Sequence, residues 1–175
     1  MNYYGSPMQL LPNLEAEPSG AVFSVDRQHR YLLWRRIADG EKTLLVVGLN
    51  PSTADELSND ATIRRCIGFA QDWNFSRLLV ANLFAYRATR PEDLRRAEDP
   101  VGPENDRWLK AATEMAHLTL AAWGNNGLWL ERHEAVVKLL HDSHCLGRTR
   151  RGAPRHPLYV KRSQYPIRLE TRENG

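Results

Sequence analysis

Apolar residues along this chain alternate between two patterns. Runs without regular polar alternation occur at Leu44-Leu45-Val46-Val47, Leu78-Leu79-Val80-Ala81 and Leu118-Thr119-Leu120-Ala121-Ala122-Trp123. Such runs suit strands covered on both faces, as in a parallel sheet. Between them the apolar spacing becomes helical. Ile63, Ile67 and Ala70 share one face of a helix predicted from about Ala61 to Trp73, with Asn59-Asp60 as its cap. Pro91 begins a short helix through Arg96, and Trp108, Leu109, Ala112 and Met115 define a helix from about Glu104 to Ala116. A further helix is predicted from about Trp129 to His141, followed by a short strand near His144 to Leu146. Upstream, Ala21 to Val25 and Tyr31 to Arg36 read as a hairpin across the polar turn Asp26 to Arg30.

Strands alternating with helices predict an α/β fold, here a three-layer α/β/α domain with a central parallel sheet of about four strands plus the amino-terminal hairpin. The expected organisation is an irregular segment over 1–19, one domain over 20–165 and a tail over 166–175. A chain of 175 residues can bury a core of that size without disulfides or metals.

Composition narrows the function classes. No apolar run approaches the length of a membrane span, and Met1 to Pro7 lacks the basic and apolar regions of a secretory signal. The two cysteines, Cys66 and Cys145, are far apart, which suits reduced thiols in a cytoplasmic protein. The net charge of +3 is small, but Arg148, Arg150, Arg151, Arg155, Lys161 and Arg162 crowd the last third. Such a stripe can hold phosphates, or serve as a solvated basic loop. No glycine-rich phosphate loop is present. His141, His144 and Cys145 lack the second ligand pair of a structural zinc, and no metal or cofactor is expected.

Candidate chemistry gathers where the strands end, because ligands of open α/β sheets bind beyond the carboxyl ends of their strands. The first strand ends in Gly48-Leu49-Asn50-Pro51-Ser52-Thr53, with Asp55 close behind. The second ends in Asn82 and continues to Phe84, Tyr86 and Arg87, and the third ends in Trp123-Gly124-Asn125. His156 follows the basic loop. Each has a plainer reading: Asn50 bonding its own backbone, Asp55 capping a turn, the aromatic residues filling the core, Arg87 in a surface ion pair.

The ordered series Gly48-Leu49-Asn50-Pro51, Val80-Ala81-Asn82-Leu83, Ala122-Trp123-Gly124-Asn125 and His156-Pro157 resembles the motifs of the uracil-DNA glycosylase superfamily. Asn50 to Asp55, Asn82 to Thr89 and Asp99 to Asp106 look like a bacterial family known as domain of unknown function 1643. The superfamily resemblance implies an N-glycosidic hydrolase acting on DNA or another nucleic acid or nucleotide. Asn50 would position the attacking water, Asn82 would read the base, and His156 would stabilise the departing base. An amide orients water but cannot deprotonate it, which leaves Asp55 as a candidate base. Pro157-Leu158-Tyr159 stands where the superfamily continues with serine, and no aromatic residue lies between Asn50 and Phe69. These departures favour the alternative, a noncatalytic nucleotide- or nucleic-acid-binding module on the same fold.

Overall fold

The computed structural model describes Leu14 and residues 16–170; most of the segment expected to be irregular, and residues 171–175 of the expected tail, lie outside them. The strands are β1 (Ser19–Phe23), β2 (Arg30–Arg36), β3 (Thr43–Gly48), β4 (Arg77–Asn82), β5 (Leu118–Ala121), β6 (Ser143–Cys145) and β7 (Ile167–Arg168). The helices are α1 (Ala61–Asp72), α2 (Pro91–Arg96), α3 (Asn105–Met115) and α4 (Arg132–Val137). All seven strands form one mixed sheet in the order β1-β2-β4-β3-β5-β6-β7.

The expected sheet of about four strands is therefore larger. Strands β4, β3, β5 and β6 run parallel to their neighbours in that block, β2 joins β4 antiparallel so that the hairpin extends the sheet, and β7 closes the far edge. From β3 the chain crosses to β4 on one side and later returns to β5 on the other. Loops leaving β3 and β5 in opposite directions open a crevice at their carboxyl ends.

Side-chain alternation divides the buried apolar residues into two clusters. Leu45, Val47, Leu79 and Ala81 pack with Trp108, Leu109 and Ala112 of α3. Their sequence neighbours Leu44, Val46, Leu78 and Val80 pack with Ile63, Cys66, Phe69 and Ala70 of α1. Each fully buried large side chain contributes roughly 1.5–3 kcal/mol, so the two helices are held mainly by these faces. Asp60 caps α1 as expected, accepting from the Ile63 amide at 2.9 Å.

The helix expected over 129–141 is interrupted. A 3-10 segment covers Asn125–Glu131, and Leu130 and Glu131 have φ of 57° and 53° before α4 begins. The kink lets Trp129 pack on Phe84, with ring centroids 5.0 Å apart, and leaves Leu130 exposed.

Candidate functional site

The end of β3 builds the site because Gly48 has no side chain. Gly48 lies opposite Asn82 in the parallel register, and a Cβ at position 48 would stand 2.9 Å from Asn82 Oδ1. The space so left belongs to a cleft of about 720 Å³, within the size range of small-ligand sites. Val46, Val80 and Ala122 are among its lining residues from the α1 side of the sheet.

Many of the expected residues converge there. Gly48, Leu49, Asn50 and Ser52 line the cleft from the end of β3, and Asn82 from the end of β4. Trp123, Gly124 and Asn125 approach from beyond β5, and Arg150, Arg155 and His156 from the late loop. That loop is fastened to the β5 turn, since Gly124 donates to the Pro154 carbonyl at 2.8 Å and Thr149 donates to Asn125 Oδ1 at 2.6 Å. Gly124 has φ of 69°, and a Cβ there would meet that of His156 at 3.5 Å.

Hydrogen bonds decide what each group can offer. Asn50 Nδ2 donates to the carbonyls of Pro51 (3.0 Å) and Ala88 (2.8 Å). Both amide hydrogens are then engaged, and Oδ1 remains as an acceptor. Asn82 is the reverse: it is 3% exposed, and its Nδ2 is buried without a partner. Trp123 Nε1 is likewise buried and unpartnered. Unsatisfied buried donors are uncommon and point to a missing acceptor.

His156 is half-buried at the start of a 3-10 turn over Pro157–Tyr159, not at a strand end. Its Nδ1 accepts from the Leu158 amide at 3.3 Å, so the neutral ring carries its proton on Nε2. Burial holds its pKa below the usual histidine value, with Asp60 opposing more weakly. Arg65 pins this turn to α1 by donating to the carbonyls of Pro157 and Val160. Arg65 is thus a tether between α1 and the late loop.

Other expected residues fall outside the cleft lining. Asp55 accepts from the amides of Leu57 (2.9 Å) and Ser58 (2.7 Å), and these bonds hold its carboxyl below the usual range. It caps a turn, and the raised pKa expected of a free carboxylate base is absent. Pro51 is buried and contributes its carbonyl to Asn50, and Thr53 is an exposed neighbour. Phe84 is a core residue against Trp129, and Tyr86 meets His29 edge-on at 5.7 Å. Arg87 donates to the Arg27 carbonyl and lies over the Phe23 ring. Arg151 and Lys161 are exposed away from the cleft lining.

Two charged residues of the cleft lining, Asp60 and Arg30, were not singled out in the sequence as site residues. Asp60 is the cleft's carboxylate, with Oδ1 accepting from Ile63 and Oδ2 from Ala54. Arg30 read as the end of a polar turn, yet it is 2% exposed and lines the cleft. Desolvation lowers its pKa to about 10, which still leaves it cationic at neutral pH. A charged residue directly before an apolar run was its available signal. Cys66 also lines the cleft, but burial pushes its thiol up to about 12 and keeps it protonated. Among the described residues no His, Cys, Asp and Glu group is placed to hold a metal, and no helix is long and apolar enough to cross a membrane.

The fold and cleft define a mixed α/β protein with a polar cleft at its strand ends. The chain belongs to the family described as Protein of unknown function (DUF1643), whose sequence model matches residues 30–158. No curated protein and no solved structure matches it. The family match runs from Arg30 through the turn after His156, and so takes in most of the cleft.

Proposed function

We propose that this cleft binds a nucleobase and that the protein is a hydrolase of the uracil-DNA glycosylase type on a three-layer α/β/α frame. The observation that carries the reading is the complementary state of the two strand-end asparagines in one cleft. Asn50 has its donors tied and an acceptor left for a water, while Asn82 has a buried donor waiting for an acceptor on a base. In this reading the water oxygen bonds to the sugar carbon as the C–N bond opens. The bonding pair leaves with the base, which accepts a hydrogen bond from Nε2–H of neutral His156 as its negative charge develops, and the water's proton passes to solvent. Donors aimed at such charge in a secluded site contribute several kcal/mol, about 2.7–4 for a single donor. No metal or organic cofactor enters the scheme.

The rim supports a nucleic-acid substrate. Arg150 and Arg155 line the cleft alongside Leu158 and Tyr159, which are 44% and 81% exposed. Cations beside exposed apolar groups suit phosphates and unstacked bases. With Cys66 and Cys145 both free and buried, a reducing cytoplasmic setting fits the same picture.

One observation favours the second reading, a noncatalytic binding module. Both oxygens of Asp60 are engaged by backbone amides, and Asp55 is outside the cleft lining, so among the described residues no free carboxylate of the cleft stands ready to take a proton from water. The deciding experiment is base release from single- and double-stranded oligonucleotides carrying uracil and other altered bases. Release that disappears in Asn50→Ala and in His156→Ala supports the enzyme. Binding without release, insensitive to Asn50→Ala but weakened by neutralising Arg150 and Arg155, supports the module.

A further inference from the structure

Among the described residues, Arg30 is a buried charge with little to compensate it. Its guanidinium makes one hydrogen bond, from Nη1 to the Ala54 carbonyl at 2.9 Å, and its Nε is buried with no partner. No carboxylate lies within ion-pair distance of it among the described residues. Asp60 and Asp55 attract it from farther away, and Arg87 and Arg35 oppose them. The carboxylates of Asp60 and Asp55 are themselves held by backbone amides. A buried cation without a partner costs several kcal/mol even after relaxation, on the order of what breaking a buried ion pair costs, about 3–5 kcal/mol. Something from outside the chain that completes this group would account for its being kept.

The backbone aims this arginine deliberately. Register shifts between Val22 and Phe23, whose partners are Leu32 and Arg30, so Tyr31 is an extra residue in β2. Tyr31 and Leu32, although adjacent, both join the cluster on the α3 side. The alternation has slipped by one, and Arg30 turns to the α1 side, where it shares the cleft with Val46, Val80 and Asn82. Bulges commonly re-aim a side chain next to a site. The end of β2 is fixed there because the Arg30 amide donates to the Ala85 carbonyl at 2.9 Å.

We infer that Arg30 is the receptor for an oxyanion of the cleft's ligand, a carboxylate or phosphate carried by a small molecule and seated beside the unpartnered Asn82 amide. Arg30 Nε and Asn82 Nδ2 are both buried donors in want of acceptors and both residues line the cleft, so an acceptor-only, negatively charged group entering it would suit them. The anion can be borne by a heterocyclic ring or by a nucleotide phosphate. This goes beyond the glycosidic reading and is tested by binding, without any base release.

The test is isothermal titration calorimetry at low salt with two matched pairs of probes, uracil against orotate and uridine against uridine 5′-monophosphate. At least one anionic probe is expected to bind tenfold or more tightly than its neutral counterpart. Preference for orotate places the anion on the ring, and preference for the monophosphate places it on the phosphate. The gain should vanish in Arg30→Met and survive in part in Arg30→Lys. Ligand-free Arg30→Met should melt at a higher temperature than the wild type, because an unpaired buried charge has been removed; a structural arginine would give the opposite sign. The inference is overturned if neither anionic probe is preferred by the wild type, or if the preference persists undiminished in Arg30→Met, which would assign it to the rim arginines.

Discussion

Gly48 and Asn82 face each other across β3 and β4 so closely that a Cβ on the glycine would lie 2.9 Å from the asparagine's Oδ1. That separation makes the missing side chain of Gly48 a condition for the Asn82 amide to keep its place in the cleft. Gly48→Ala must displace the amide, since Asn82 is buried and has little room elsewhere. Overpacking of this kind typically costs about 1–3 kcal/mol. The substitution should lower the denaturation midpoint moderately and weaken cleft ligands strongly, and calorimetric binding beside a urea melt would separate the two. Binding at wild-type strength would mean that the Asn82 amide is not in contact with the ligand.

Arg65 holds the 3-10 turn that starts at His156, through the carbonyls of Pro157 and Val160. Arg65→Ala removes both bonds and leaves those carbonyls to water. Hydrogen bonds from a charged donor contribute about 1.5–3 kcal/mol each in favourable settings, less where solvent reaches them as here. The expected result is a small loss of global stability with a larger rise in amide exchange at Leu158 and Tyr159. Exchange there unchanged from wild type would show the turn to be held by Gly124 and the loop behind it.

How far the sequence reached depends on the kind of signal. The runs at Leu44 and Leu78 and the helical spacing of Ile63, Ile67 and Ala70 gave β3, β4 and α1 their places, because burial on both faces of a sheet leaves a strong pattern. The late helix was misplaced because nothing in Trp129-Leu130-Glu131 announces a positive φ at two non-glycine residues. Asn50, Asn82 and His156 were legible as punctuation after apolar runs or a basic loop. Arg30 was marked only as a charge before an apolar run, since its inward turn depends on one extra residue in β2 that sequence alternation cannot reveal. Phe84, Tyr86 and Arg87 carried the opposite risk: proximity in sequence to Asn82 suggested the cleft, whereas Phe84 packs on Trp129, Tyr86 on His29 and Arg87 over Phe23.

Asp55 distinguishes a capping carboxylate from a chemical one. Its oxygen Oδ1 accepts from two successive amides, and those bonds favour the ionised form. Asp55→Asn keeps an acceptor in the turn and should leave ligand binding and any base release within a factor of two of wild type, whereas Asp55→Ala should loosen the turn and lower the melting temperature slightly. Loss of base release in Asp55→Asn with stability intact would return the residue to the chemistry.

His156 sets a pH dependence whose sign follows from burial. Its folded pKa lies below the unfolded value near 6.5, so between those two values the unfolded chain binds more protons than the native one. Stability attributable to the neutral ring is therefore complete above about pH 6.5 and declines as pH falls toward the folded pKa, levelling off below it. Protonating Nδ1 also removes the acceptor that receives the Leu158 amide, so the turn should loosen in the same window. Urea unfolding from pH 8 to pH 4.5 on the wild type and on His156→Gln measures this directly, since the variant cannot titrate there. The difference in unfolding free energy between the two proteins should be flat above pH 7 and shrink as the pH drops. A difference that grows on acidification would mean that the folded ring is stabilised as the cation, and neutral His156 could then no longer be the donor to a departing base at pH 7.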